Sequence, residues 1–473
     1  MPASARSDLE EQEMTRNFDA IVIGAGQAGP PLVGRLTESG MKVALIERDK
    51  FGGTCVNTGC MPTKTLVASA YAAHLARRGA DFGVMLDQVR IDMRKVRSRA
   101  ATVSANSSRG VENWLRGMKG CTVFHDAARF EGPKEVKVGA ELLSAPRIFI
   151  NVGGRANVPD MPGVHEVPYL VNSSILQLER VPEHLVVIGG SYIGLEFAQM
   201  YRRFGAEVTV VEMAPRLIFR EDAEVSDAVR EILEREGIKV RTSAECISFA
   251  KGNPGVRVGV DCTEGEPEVL ASDVLLAVGR RPNTDDLGLD HAGVATDARG
   301  YIKVDDGLQT NVPGIWALGD CNGRGAFTHT AYNDFEIVAA NLLDGENRRV
   351  SDRVLGYALF IDPPLGRVGM TEAQVRARGQ PYLVSTRPMT RVSRAVERNE
   401  TLGFMKVLAD PPTRQILGAS ILGVGGDEAI HGLLDAINGK TPYNELRWAV
   451  PIHPTVSELI PTLLLGLHPA SAA

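Results

Sequence analysis

Short unbroken apolar runs, each ending at glycine or a carboxylate, alternate with longer amphipathic stretches through the first two thirds of this chain. Such runs suit strands buried on both faces of a parallel sheet, and the amphipathic stretches suit the helices that cover it. Residues 19–23 and 43–46 are two such strands, and 185–188 and 207–211 are two more. An apolar-patterned segment covers 65–75, and helices are predicted over 77–116 and 328–343, with shorter strands at 121–124, 135–138 and 147–154. A strand and turn at 273–283 closes a second domain, and a buried strand within 310–320 follows it. Beyond Val350 the pattern changes. Strand-like pieces at 366–369, 403–407 and 416–420 alternate with helical ones, without a phosphate loop. That is a separate α+β domain.

The strand at 19–23 runs into Gly24-Ala25-Gly26-Gln27-Ala28-Gly29. In a GxGxxG, Gly24 permits the tight turn, Gly26 lets backbone approach a pyrophosphate, and Gly29 lets helix pack on strand. The next strand ends at Glu47, where a ribose-binding carboxylate belongs. Pro30 and Pro31 fall in the first helical turn, whose N–H groups have no helical partner in any case. The pattern recurs at Gly189-Gly190-Ser191-Tyr192-Ile193-Gly194, with Glu212 at the end of the following strand. The offset, 189 − 24 = 165 residues, marks a duplicated domain rather than a solenoid. Ser191 replaces the middle glycine, so close phosphate approach is strained there without being excluded. Two nucleotide domains imply a retained flavin dinucleotide, FAD, and an exchanging nicotinamide. A carboxylate at Glu212 bonds a ribose hydroxyl and repels a phosphate, which favours NADH over NADPH. Arg216 and Arg220 are the nearby cations that could reverse this.

Composition narrows the class. A chain of 473 residues is too long for one core and needs two to four domains. A net charge of -6 argues against a nucleic-acid partner. No apolar run is long enough to span a bilayer. The first residues carry Asp8, Glu10, Glu11 and Glu13, so 1–17 reads as a disordered tail rather than a secretory signal. Six cysteines in so long a chain are no secreted disulfide framework, and a cytoplasmic location follows. There a close cysteine pair is catalytic or metal-binding rather than structural.

Such a pair is Cys55 and Cys60, in Gly52-Gly53-Thr54-Cys55-Val56-Asn57-Thr58-Gly59-Cys60-Met61-Pro62-Thr63-Lys64. Its place just after the first fingerprint favours a redox-active disulfide; no resident metal site is read here. The reacting species is the thiolate, which a neighbouring cation or imidazolium favours by lowering the thiol pKa. Asp320, after a buried strand at a glycine turn, suits a polyol hydroxyl, or else caps backbone. The helix from Thr328-His329-Thr330 would face the flavin with its positive end and stabilise the anionic reduced ring. His453, in a proline turn with Glu458 nearby, is a candidate acid/base, because the carboxylate fixes its tautomer.

From about Asp19 to Leu463 these motifs, in this order, resemble the class I pyridine nucleotide-disulfide oxidoreductases: glutathione reductase, dihydrolipoyl dehydrogenase and mercuric reductase. The resemblance rests on residues 52–64, GGSYIGLE at 189–196, GRRPN at 279–283, Leu318-Gly319-Asp320 and HPTVSE at 453–458. It implies two Rossmann-like α/β domains and a C-terminal α+β dimerisation domain. Their bounds are 18–152 for FAD, 153–280 for NAD(P), 281–349 for the return to the FAD domain, and 350–473 for dimerisation. It implies that Cys60 lies against the flavin and Cys55 attacks substrate. Lys64, paired with Glu196, would sit by the flavin, and Tyr192 would cover the nicotinamide pocket. Gly53, Thr54, His329 and Gly279 would complete the cofactor contacts. His453, polarised by Glu458, would reach the disulfide of the other subunit of a homodimer. Cys121, Cys246, Cys262 and Cys321 have no motif and read as structural. The tail has no cysteine pair and Gly34 stands where glutathione reductases carry a substrate arginine. Residues 61–66 and 328–330 are similar to the mercuric-reductase-like branch lacking C-terminal cysteines. The substrate is then a small disulfide or a thiol-bound metal. Alternatives are a dihydrolipoyl dehydrogenase, a mercury(II) or copper reductase, an NADH oxidase or diaphorase, or a redox sensor without turnover.

Overall fold

A computed structural model describes residues 15–245, 247–260 and 266–470. The predicted tail, for all but its last three residues, and Cys246 and Cys262 lie outside the described residues. The chain divides into two compact units, each assembled from three stretches.

The first unit takes Met1–Cys60, Ser104–Arg155 and Arg280–Asp352. Its centre is a five-stranded parallel sheet in the order Ile315–Ala317, Ile148–Ile150, Ala20–Ile23, Val43–Ile46, Cys121–Phe124. Every residue of Ala20–Ile23 and Val43–Ile46 is buried, because successive side chains feed opposite cores. Ala20 and Val22 pack with Leu32, Val33 and Leu36 of helix Gly29–Glu38 and with Phe335 and Val338 of helix Thr328–Leu343. Ile21 and Ile23 pack instead with Phe130, Val136, Val138 and Leu143. Each such side chain contributes about 1.5–3 kcal/mol on burial, which leaves no room for polar residues in these runs.

The second unit takes Met61–Val103, Ala156–Gly279 and Arg353–Ala473. It repeats the parallel pattern in four strands, ordered Lys239–Arg241, Glu207–Val211, His184–Ile188, Asp273–Leu276. Helices Tyr192–Phe204 and Ala223–Arg235 pack on this sheet. A three-stranded antiparallel sheet, Ser248–Lys251, Val256–Gly259 and Glu268–Ala271, closes its other face. The C-terminal quarter forms a six-stranded antiparallel sheet in the order Gly356–Leu359, Leu365–Gly369, Ile416–Leu422, Phe404–Ala409, Leu383–Pro388, His468–Pro469. Helices His431–Asn438 and Ile460–Leu465 cover it.

One predicted element is corrected. The helix expected over 77–116 is broken. Helix Cys60–Arg77 ends, a single tight turn Gly79–Phe82 follows, and the long helix is Met93–Gly117. Gly83 has φ +77, and a Cβ at Gly79 would lie 2.5 Å from the Val84 carbonyl oxygen, so the chain turns away here. The Asp92 carboxylate restarts the helix by accepting the Lys95 N–H at 3.1 Å. On this helix Arg94, largely exposed, lies 3.9 Å from Glu179, Arg97 pairs with Glu179 at 2.6 Å, and Arg99 donates to the Thr65 carbonyl at 2.9 Å.

Candidate active site

The cysteine stretch is built onto the first glycine loop. Gly52 and Gly53 both take positive φ, at 94° and 63°. A Cβ on Gly53 would come within 2.8 Å of the Gly26 Cα, so glycine is needed for the two backbones to meet. The Gly52 N–H donates to the Ala25 carbonyl at 2.9 Å, and Gln27 Nε2 donates back to the Gly52 carbonyl at 3.1 Å. Cys55 lies on the short helix Gly53–Asn57 and Cys60 opens helix Cys60–Arg77. Both are half-buried, and their thiols are hydrogen-bonded to each other. Cys60 Sγ is also 3.1 Å from Thr328 Oγ1, on the first residue of helix Thr328–Leu343. The thiol–thiol bond, with burial behind it, pushes the Cys55 thiol up, against the opposing effect of Thr328. The strongest influence on Cys55 is thus another thiol.

The two strand-end carboxylates are held identically. Glu47 accepts the Ala25 N–H at 2.9 Å and the Asp49 N–H at 3.0 Å. Glu212 accepts the Gly190 N–H at 2.6 Å and the Ala214 N–H at 2.7 Å. A carboxylate offers about four lone-pair directions, so each retains acceptor capacity for a ribose hydroxyl. The loops match as well. Gly24 and Gly189 have φ of +106° and +110°, and a Cβ would fall 2.2 Å from Asn151 O or 2.4 Å from Ala277 O. Gly29 and Gly194 admit no Cβ either. Both cradles therefore fit a dinucleotide.

Asp320 carries the second cofactor feature of the first unit. Burial raises its pKa, against the pull of Arg280, whose Nε is 3.5 Å away. Arg280 also donates to the Gly154 carbonyl, and reaches Thr54 Oγ1 at 3.4 Å. Arg280 thus ties Asp320 to the segment next to Cys55. His329 is exposed and stacks on Phe327 at 5.3 Å. In the second unit Gly279, at φ +109°, accepts the Asn157 N–H at 2.9 Å. Lys64 Nζ bonds Glu196 at 2.6 Å and lies 4.5 Å from the Phe360 ring centre. The Phe360 N–H donates to the other Glu196 oxygen at 3.1 Å, so this buried carboxylate is fully oriented. Tyr192 begins helix Tyr192–Phe204, one turn before Glu196. His453 Nδ1 bonds Glu458 at 2.8 Å with its ring largely exposed. Its other nitrogen is thereby aimed outward.

Comparison with known proteins decides the class. The family described as pyridine nucleotide-disulphide oxidoreductase matches residues 18–334, and its dimerisation domain matches residues 356–464. The chain belongs to this family. Among similar pyridine nucleotide-disulphide oxidoreductases is the probable pyridine nucleotide-disulfide oxidoreductase RclA of Escherichia coli, 36% identical over 93% of this chain and 97% of that one. A dihydrolipoyl dehydrogenase of Thermus scotoductus is 32% identical over 96% and 98%, and a mercuric reductase of Streptomyces lividans 32% over 91% and 92%. The solved Cu(II) complex of the HOCl-induced flavoprotein disulfide reductase RclA superposes with a TM-score of 0.85 at 34% identity, covering 94% of this chain and 99% of that one.

As a member of this family the chain is an FAD-dependent disulfide oxidoreductase that uses a pyridine nucleotide and has a dimerisation domain. Among the described residues no helix is long and apolar enough to cross a membrane. Four residues escaped the sequence reading. Thr328 meets Cys60, Arg280 meets Asp320, and Asn151 donates to the Gly24 carbonyl at 3.2 Å. Buried Asp334 accepts the Gly319 N–H at 2.8 Å and Asn322 Nδ2 at 2.9 Å, bracing the Asp320 turn. Arg280 had a signal, the GRRPN motif; the other three are set by contacts with remote segments.

Proposed function

We propose that Cys55 and Cys60 are the redox pair of this oxidoreductase. The observation that carries the reading is their mutual hydrogen bond on a segment packed against the FAD-side glycine loop. Bound FAD supplies two-electron transfer between nicotinamide and disulfide. Cys60, at the start of its helix, is the flavin-side thiol. Cys55 as thiolate attacks one sulfur of a substrate disulfide, forming a mixed disulfide and releasing one thiolate. Cys60 then attacks Cys55 Sγ, closing the Cys55–Cys60 disulfide and releasing the second. Two electrons from NAD(P)H reopen it, so one disulfide, one NAD(P)H and one proton give two thiols and NAD(P)+. The partner subunit of a homodimer brings His453, held by Glu458, to protonate the departing thiolate. Lys64, fixed by Glu196, is the cation beside the flavin.

Glu212 favours NADH, because its carboxylate at the strand end repels a 2′-phosphate. Arg216 lies over the Phe219 ring at 5.7 Å, a position that draws it toward stacking rather than phosphate binding. The substrate is a small disulfide or a thiol-bound metal ion. The Cu(II) complex of the RclA relative supports the metal arm. A cycling thiol pair suits the reducing cytoplasm. The test is turnover of disulfides, lipoamide, copper(II) and mercury(II) with NADH and with NADPH, by the native enzyme and Cys55→Ser. Loss of every sulfur and metal activity in Cys55→Ser is expected. Unchanged turnover would leave the pair incidental and favour an oxidase or diaphorase.

A further inference from the structure

The second unit holds a buried charge network that ends at Tyr192. Arg367 and Glu221 are both fully buried, joined by Arg367 Nε at 3.0 Å and Nη2 at 2.5 Å. Asp222 is held separately. It accepts Arg367 Nη2 at 3.1 Å, Lys406 Nζ at 3.4 Å, and the backbone N–H groups of Glu372 at 3.1 Å and Ala373 at 3.2 Å. The ionic part is thus paired without any tyrosine. Two phenols are nevertheless added to it. Tyr357 donates its hydroxyl proton to Glu221, and its hydroxyl is bonded to that of Tyr192. Their rings meet edge to face at 5.3 Å and 76°.

The direction of this relay follows from proton count. Tyr357 has one proton, and a carboxylate ionised beside Arg367 can only accept it. Tyr192 must therefore donate to the Tyr357 oxygen. Tyr192 is the one member on the nucleotide loop: it follows Ser191 and stands one turn before Glu196, which holds Lys64. Both phenols are half-buried, unlike Arg367 and Glu221, but Tyr357 is tethered to Glu221, so Tyr192 is the one with room to move.

We infer that Tyr357 is a latch: anchored by Glu221 and Arg367, it holds the Tyr192 ring at rest, and nicotinamide binding breaks the Tyr192–Tyr357 bond. The inference rests on the reading of Tyr192 as cover of the nicotinamide pocket. Tyr357 is then a positioning residue that sets how tightly the nicotinamide half of the nucleotide is held. The adenine half, on the glycine loop and Glu212, is indifferent to it.

The test is calorimetric binding of NAD+ and of ADP-ribose to the oxidised, FAD-loaded enzyme. Tyr357→Phe keeps the ring and removes the latch. NAD+ is expected to bind about three- to tenfold more tightly, the size of one net hydrogen bond, with ADP-ribose unchanged. Tyr192→Phe should give the same shift, and the double variant no more than either. Equal shifts for both ligands, no shift, or weaker NAD+ binding would each overturn the latch. Tyr192→Ala separates the two claims. If it leaves the NAD+ to ADP-ribose affinity ratio at the native value, the pocket reading itself fails. If the ratio changes while Tyr357→Phe does nothing, only the latch fails.

Discussion

A methyl group added at Gly194 would sit 2.1 Å from the Gly189 carbonyl oxygen, with no flexible side chain to give way. Gly194→Ala should therefore cost about 1–3 kcal/mol through forced backbone shifts and abolish pyridine nucleotide binding, read by urea unfolding and by calorimetry. Arg367→Met leaves Glu221 buried without its cation and Asp222 with Lys406 alone; the cost of breaking such a pair is about 3–5 kcal/mol, measurable in the same unfolding experiment. His74 adds a pH dependence. Desolvation, with Arg203 next, lowers its pKa from 6.5 to about 4. The unfolded chain then binds the proton first as pH falls, so stability is full above about 6.5 and declines toward about 4. His74→Gln should flatten the denaturant midpoint across that window. At this scale Glu47 and Glu212 were legible, because strand and loop geometry alone fixes where a strand-end carboxylate stands. Thr328 was not legible as a partner of Cys60, since 268 residues separate them and only tertiary packing joins them. The pairing of Cys55 with Cys60 was legible from spacing alone; the burial that pushes the Cys55 thiol up is set by packing.

Elements were read best where burial is two-sided. Strands 43–46 and 207–211 have the predicted bounds, since a polar residue at any of these positions would face a core. Helix Thr328–Leu343 likewise has its predicted ends. The break between Arg77 and Met93 is hidden in the sequence because the intervening Val84, Met85 and Leu86 are apolar yet exposed and run on into the amphipathic helix Met93–Gly117. Periodicity does not distinguish an apolar loop from a helix turn; Gly79 and Gly83 were the available signal. The Asp92 carboxylate is what restarts the helix, so Asp92→Ala should cost about 1 kcal/mol, detected as a lower urea midpoint with unchanged slope.

At the scale of the whole molecule, the 165-residue duplication is legible in sequence and survives to individual hydrogen bonds at Glu47 and Glu212. What sequence pattern does not display is how the halves are interleaved, because each compact unit draws on three separate stretches. The dimerisation domain exposes Trp448, Val450 and Ile452 just before His453. A second copy covering that strip would bring His453 with it. The double variant Val450→Asp, Ile452→Asp should run as a monomer in light scattering, lose disulfide reduction and keep NADH-dependent dye reduction. A dimer with full activity would refute that role for the strip. The central claim, that electrons pass from nicotinamide through FAD to Cys55–Cys60, is tested most directly by anaerobic NADH titration of the oxidised enzyme. The visible spectrum is followed and free thiols are trapped at each point. The first equivalent of NADH should produce two new thiols per chain, mapped to Cys55 and Cys60, and a long-wavelength absorbance with the flavin band largely retained. A flavin that bleaches with that first equivalent while no thiol appears would contradict the account.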